Sequence, residues 1–149
     1  MNQLHLPAAE LKIIQKENKP YVFDILRKKY ILITPEEWVR QHFVHFLIQH
    51  KEFPKSLMAN EVLLHLNGMQ RRCDTVVYQR DLKPKLIIEY KAPHIKIDQK
   101  VFNQISRYNF VLQVDYLIVS NGLQHYYCKM DYANKSYTFM PEIPLYADL

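Results

Sequence analysis

Three residues able to do chemistry interrupt the two most strand-like stretches of the chain: Asp74 within Arg71 to Tyr78, then Glu89 and Lys91 at the end of the apolar run from Lys85 to Lys91. Side chains two apart on a strand share a face, so Glu89 and Lys91 should project together. If the two stretches pair through a turn at Arg80 to Pro84, Asp74 reaches the same patch. Two adjacent carboxylates repel, and that cost becomes tolerable when a divalent cation neutralises them; hard oxygen ligands suit Mg²⁺. A lysine beside them could orient and polarise a water, or stabilise the added negative charge of a phosphorane-like transition state. Glu-x-Lys alone is often a surface ion pair. The weight lies in placement, because this Glu closes an apolar strand where a solvated face is not expected.

The elements that must hold these groups are readable from pattern. A strand near Tyr21 to Asp24 and another at Tyr30 to Ile33 precede a clear helix start, in which Thr34 is the N-cap, Pro35 the first helical residue and Glu37 the capping-box partner. The helix should run to about His50, burying Val39, Phe43, Phe46 and Leu47, with Arg40 and Gln41 turned to solvent or ligand. The period then becomes that of strands: Glu61 to Leu66, a turn at Asn67-Gly68, and Met69 to Tyr78 read as a hairpin. Lys85 to Lys91 suits a central strand covered on both faces, and Pro93 stops it. Asp98 to Leu112 should be a helix with Val101, Ile105, Tyr108 and Leu112 inward, followed by strands at Asp115 to Ser120 and Gln124 to Cys128 around Asn121-Gly122. Helix, three strands, helix, two strands packs naturally as an α/β sandwich with a mixed sheet. We read residues 1–149 as one domain, with 1–33 an N-terminal extension, 34–131 the core and 132–149 a C-terminal tail.

Composition narrows the function classes. The 149 residues include 48% apolar side chains, enough for a folded core, and only two glycines, Gly68 and Gly122. That excludes a P-loop and a dinucleotide-binding turn within this chain. Two cysteines, Cys73 and Cys128, cannot form a disulfide framework or a four-ligand zinc site. The net charge of +5 leans towards a polyanionic partner. No leader pattern or long apolar run is present, so no membrane association and a cytoplasmic location are expected. His42, His45 and His50 lack the spacing of a zinc pair and read as ordinary helix residues. Cys73, next to Asp74 on a strand, should point to the opposite face in a small apolar role. Gln104 and Tyr108 lie four apart on one helical face and can approach the same ligand. Lys96, Lys100 and Arg107 are either phosphate contacts or the wet side of a helix.

Asp74…Glu89-Tyr90-Lys91 resembles the PD-(D/E)XK nuclease signature. Arg72-x-Asp74-x-Val76-Val77-Tyr78 followed by Ile88-Glu89-Tyr90-Lys91-Ala92-Pro93 is similar to the N-terminal nuclease domain of the type I restriction enzyme R subunit, and Gln104 to Tyr108 matches that family's Gln-x-x-x-Tyr element. Cys73 stands where the signature's name has proline. The resemblance spans roughly Thr34 to Asp131 and implies an αβββαβ restriction-endonuclease-like core with a mixed central sheet flanked by helices. It further implies a metal-dependent endonuclease acting on DNA, with Mg²⁺, or Mn²⁺ in its place, held by Asp74, Glu89 and the Tyr90 carbonyl. Glu37 on the first helix is an additional candidate ligand, Lys91 would assist the attacking water, and Gln104 and Tyr108 would bind DNA or order the site. The ATP-driven motor of type I enzymes would have to come from a separate translocase, with a specificity subunit a further implied partner. The competing reading is a noncatalytic nucleic-acid-binding or assembly module on the same fold.

Overall fold

Thr34 opens the first long helix as its pattern requires: its hydroxyl accepts from the Glu37 amide at 3.1 Å, Pro35 fills the first helical position, and α1 runs Pro35–His50. The computed structural model describes residues 3–66 and 68–149. Before the helix, β1 (Ile13–Lys16), β2 (Lys19–Asp24) and β3 (Lys29–Leu32) form a three-stranded antiparallel sheet of their own. β1 was not anticipated, because Glu17 and Asn18 close its hairpin with φ of 53° and 62° without the usual Asn-Gly signal.

The main sheet has six strands in sequence order: β4 (Met58–Leu66), β5 (Met69–Tyr78), β6 (Pro84–Tyr90), β7 (Tyr116–Ser120), β8 (His125–Asp131) and β9 (Ser136–Met140). Only β6 and β7 run parallel, and α2 (Gln99–Leu112) makes the crossover between them. The expected mixed α/β architecture is therefore present. The stretch read as a tail supplies the last strand, and β4 begins three residues before its expected start, at Met58. Of the Asn67-Gly68 turn, Asn67 lies outside the described residues, while Gly68 takes φ of +75°, a value that suits glycine.

Two apolar layers sandwich this sheet, and the alternation of β6 and β7 sorts residues between them. Leu86, Ile88, Tyr90 and Ile118 pack with Val39, Phe43 and Leu47 of α1, whereas Ile87, Leu117 and Val119 pack with Phe102, Ile105 and Leu112 of α2. On α1 the buried surface is wider than the expected stripe. Phe46 is only partly covered, and Glu37, Arg40 and Gln41 are buried. The expectation that Arg40 and Gln41 face solvent or ligand is thus corrected. On α2 the inward positions are Phe102, Ile105, Ser106, Asn109 and Leu112, which leaves Tyr108 outside the core at 45% exposure. Asn109 can turn inward because its amide donates to the Val114 carbonyl at 3.0 Å.

Candidate functional site

The site forms where two paired strands part. β5 and β6 stay in register as far as Thr75 opposite Ile88. Beyond that point the Asp74 side chain takes over as a backbone acceptor, receiving the Tyr90 amide on Oδ2 at 2.9 Å. Asp74 is thereby held beside the next residue of β6, Glu89, near enough for its charge to act on the Glu89 carboxyl. Glu89 is only 9% exposed. Burial first, and then the neighbouring Asp74 charge, push its carboxyl from 4.5 up to about 8, with Arg71 pulling the other way. Burial thus favours the neutral form of the Glu89 carboxyl.

Arg71, on the same strand as Asp74, brings Nη1 to 2.8 Å from Glu89 Oε1. The distance is that of a close ion pair, yet the angle is too poor for a hydrogen bond, and both atoms are buried with no hydrogen-bonding partner. The guanidinium lies over the Tyr108 ring, 4.5 Å from its centroid. Tyr108 thus reaches the carboxylates through Arg71. Gln104, one turn earlier on α2, is exposed.

Lys91 follows the last residue of β6, and its amide donates to the Ser120 carbonyl at 2.8 Å, so the parallel alignment with β7 extends through it. That register keeps Lys91 two residues from Glu89, the spacing at which strand side chains share a face. Its ammonium joins none of the ion pairs among the described residues. Beyond it, Asn121 shapes the loop after β7. Its Oδ1 accepts the Leu123 and Gln124 amides, and its Nδ2 donates to the Ile95 carbonyl. Gly122 follows with φ of +85°.

Glu37 has a different task. Its Oε1 receives Arg27 Nη2 at 2.7 Å and Arg40 Nη2 at 3.3 Å, and its Oε2 receives Arg40 Nε and Gln41 Nε2, each at 3.0 Å. Four donors fill the lone pairs of a carboxylate, leaving none for a cation. Only half of the expected capping box forms, since the Glu37 side chain turns away from Thr34 to these partners. Arg40 continues from Glu37 to the Asp74 main-chain oxygen at 2.7 Å and to Glu61 Oε1 at 2.7 Å. A second polar chain lies beside it. Asn60 donates to Asp24 Oδ2, Thr75 Oγ1 donates to Asn60 Oδ1, and the Tyr90 hydroxyl, left to donate, meets Thr75 Oγ1 at 2.9 Å. Burial alone would raise the Asp24 carboxyl, but bonds from the Arg27 amide, Asn60 and the Arg27 side chain hold it below its usual value. Sequence reasoning missed Arg71, Arg40 and Asp24 as supports of the site. Their partners lie on other elements, and nothing in local spacing signals them.

Cys73 is fully buried, as expected, but not on the opposite side from the acids. It packs with Ile87 in the layer beneath α2, and Glu89 helps burial push its thiol up to about 12. The alternation breaks at Glu61, which has φ of 56° and drops out of the β4–β5 register opposite Asp74.

The donor set suits a hard divalent ion in kind. Glu89 Oε1 is a buried oxygen without a hydrogen bond, and Asp74 has committed Oδ2 to a single amide. No cluster of three His, Cys, Asp or Glu that could hold a metal exists among the described residues. An ion here would rest on two carboxylates, backbone oxygen and water, a set that Mg²⁺ accepts.

This arrangement is an α/β domain, a mixed sheet between two helices with neighbouring acids where the central strands part. Residues 35–144 match the family described as type I restriction enzyme R protein N terminus, and the chain belongs to that family. Its fold is similar to a solved fragment described as an HsdR subunit of a type I restriction enzyme from Vibrio vulnificus, with a TM-score of 0.52 and 16% identity. The similarity covers 75% of this chain but only 24% of that one. A search of curated proteins finds no match. No helix of the described residues is long and apolar enough to cross a membrane.

Proposed function

We propose that this chain is a metal-dependent endonuclease domain that hydrolyses DNA phosphodiester bonds, working as R-subunit nuclease domains do. The observation that carries the reading is the placement of Asp74, through its bond from the Tyr90 amide, beside the buried Glu89 where β5 and β6 part. Two neighbouring acids, of which Glu89 has Arg71 as its ion-pair partner, suit a divalent cation that would neutralise both.

Asp74 and Glu89, with the Tyr90 carbonyl, would hold Mg²⁺ or Mn²⁺. The ion would supply charge neutralisation at the phosphate and an activated water. Lys91, free of ion pairing, would position that water and offset charge developing on the phosphate oxygens. Gln104 and Tyr108, on the exposed face of α2, would engage DNA or order the site. The net charge of +5 would favour approach to the polyanion. In such a system translocation would come from a motor and target choice from a specificity subunit. Acting on DNA inside the cell would place the protein in the cytoplasm.

The test is cleavage of supercoiled and linear DNA with Mg²⁺ or Mn²⁺ by the native chain, Asp74→Ala and Lys91→Ala. Metal-dependent cutting by the native chain that disappears in both variants is expected. Cutting that survives in both removes the site, and DNA binding without metal-dependent cutting favours a noncatalytic module.

A further inference from the structure

Arg71 is the one cation in contact with Glu89 among the ion pairs of the described residues, and its position is unusual for a structural partner. A guanidinium that fixes a carboxylate normally does so through aligned, often bidentate, hydrogen bonds. Here Nη1 sits 2.8 Å from Oε1 without such alignment, leaving both atoms unsatisfied although both are buried. The ion pair neutralises charge but makes little directional bonding. The rest of the guanidinium is supported elsewhere, on the face of Tyr108 at 4.5 Å, and that ring is 45% exposed. The Tyr108 ring thus supports the guanidinium at the solvent edge of the site in the same position from which it pairs with Glu89. Arg40 makes the contrast plain, since it is bonded through Nε, Nη1 and Nη2 to Glu37, Asp74 and Glu61.

We infer that Arg71 is a displaceable counterion. It neutralises the acid pair in the metal-free protein, competes with a divalent cation for Glu89, and, held on Tyr108, turns to a DNA phosphate once the cation is bound. This rests on the proposed metal-dependent reading and adds to it a positioning residue with two alternating partners. Monovalent guanidinium and divalent ion repel at such short range, so occupancy of Glu89 by one weakens the other. The Tyr108 face keeps the released cation near the scissile region rather than in bulk solvent.

The experiment is Mg²⁺ titration calorimetry on the native chain, Arg71→Met, Arg71→Lys and Asp74→Asn. Melting curves without metal establish that each variant is folded. Arg71→Met should bind Mg²⁺ roughly five- to tenfold more tightly than the native chain, as expected for removal of a nearby like charge. Arg71→Lys should remain close to native. In a Lys91→Ala background, expected to bind DNA without cutting it, Arg71→Met should flatten the dependence of DNA affinity on log salt by about one unit, the signature of one lost phosphate contact. Native-like or weaker Mg²⁺ binding by folded Arg71→Met overturns the competition, and an unchanged salt slope overturns the phosphate role. Native Mg²⁺ binding that is absent, or that persists in Asp74→Asn, defeats the metal reading itself and this inference with it. Loss of the Arg71 effect alone leaves that reading standing.

Discussion

The Tyr90 amide donates to Asp74 Oδ2 at 2.9 Å, so this carboxylate closes the gap where β5 and β6 separate, beside Glu89. Charge and backbone bonding at Asp74 can be separated by substitution. Asp74→Asn keeps an oxygen acceptor for the amide, whereas Asp74→Ala leaves it unsatisfied. Both should abolish cleavage. In chemical denaturation only Asp74→Ala should lose stability from the orphaned amide, by about 1–3 kcal/mol.

The pH dependence of folding should carry a mark of Glu89. Its carboxyl is raised from 4.5 to about 8, so between those values the folded chain keeps a proton that the unfolded chain has released. The unfolded state then binds fewer protons, and stability falls as pH rises. The contribution is fully present below 4.5 and is lost as pH passes through about 8. With a chelator present, native stability should decline across this window by an amount on the order of a few kcal/mol. Glu89→Gln, which has no carboxyl proton to lose, should remove that part of the slope in melts at several pH values.

Divalent affinity should run in the opposite direction. A ligand carboxylate must be deprotonated, so Mg²⁺ binding should strengthen up to about 8 and level off above it. Calorimetric titration against pH reads this directly, and a flat profile would separate metal binding from Glu89.

Arg40 should matter to folding far more than its helical position suggests. It joins Glu37, Glu61 and the Asp74 carbonyl, and removing it takes two donors from buried Glu37 and leaves the Asp74 carbonyl and Glu61 without that partner. Arg40→Met should cost about 3 kcal/mol or more in denaturant titration. Arg40→Lys should recover only part of this, since an ammonium cannot reproduce the planar fork.

Gly122 is fixed by both backbone and space. Its φ is +85°, and a Cβ there would lie 2.7 Å from Leu4 Cδ2 and 3.2 Å from Val39 Cγ2. Gly122→Ala should lower the melting temperature, with a loss of about 1–3 kcal/mol. Shortening Leu4 to alanine in the same chain should return part of it.

What the sequence made legible was whatever depends on neighbours along the chain. The Thr34 cap, the α1 span and the apolar run of β6 each follow from local pattern, and Asp74 and Glu89 stood out as acids in strands that had no solvent-facing reason for them. What stayed hidden depends on contacts across the fold. Glu37, Arg40 and Gln41 look like a wet helix face until Arg27, Asp74 and Glu61 arrive to bond them. Tyr108 reads as core because it is aromatic, but Asn109 takes the inward turn through its bond to Val114, and Tyr108 is left to carry Arg71. β9 sits at the sheet edge on a short, polar-flanked stretch whose pairing with β8 no local period announces.

The polar chain from Asp24 through Asn60 and Thr75 to Tyr90 sets a practical boundary for anyone shortening this protein. The family match starts at residue 35, yet Asp24 and Arg27 lie upstream of it and hold Asn60 and Glu37 in place. A clone trimmed to the family's edge would keep every signature residue while opening the interior behind them to water, and an inactive product from such a clone would testify to the trimming alone.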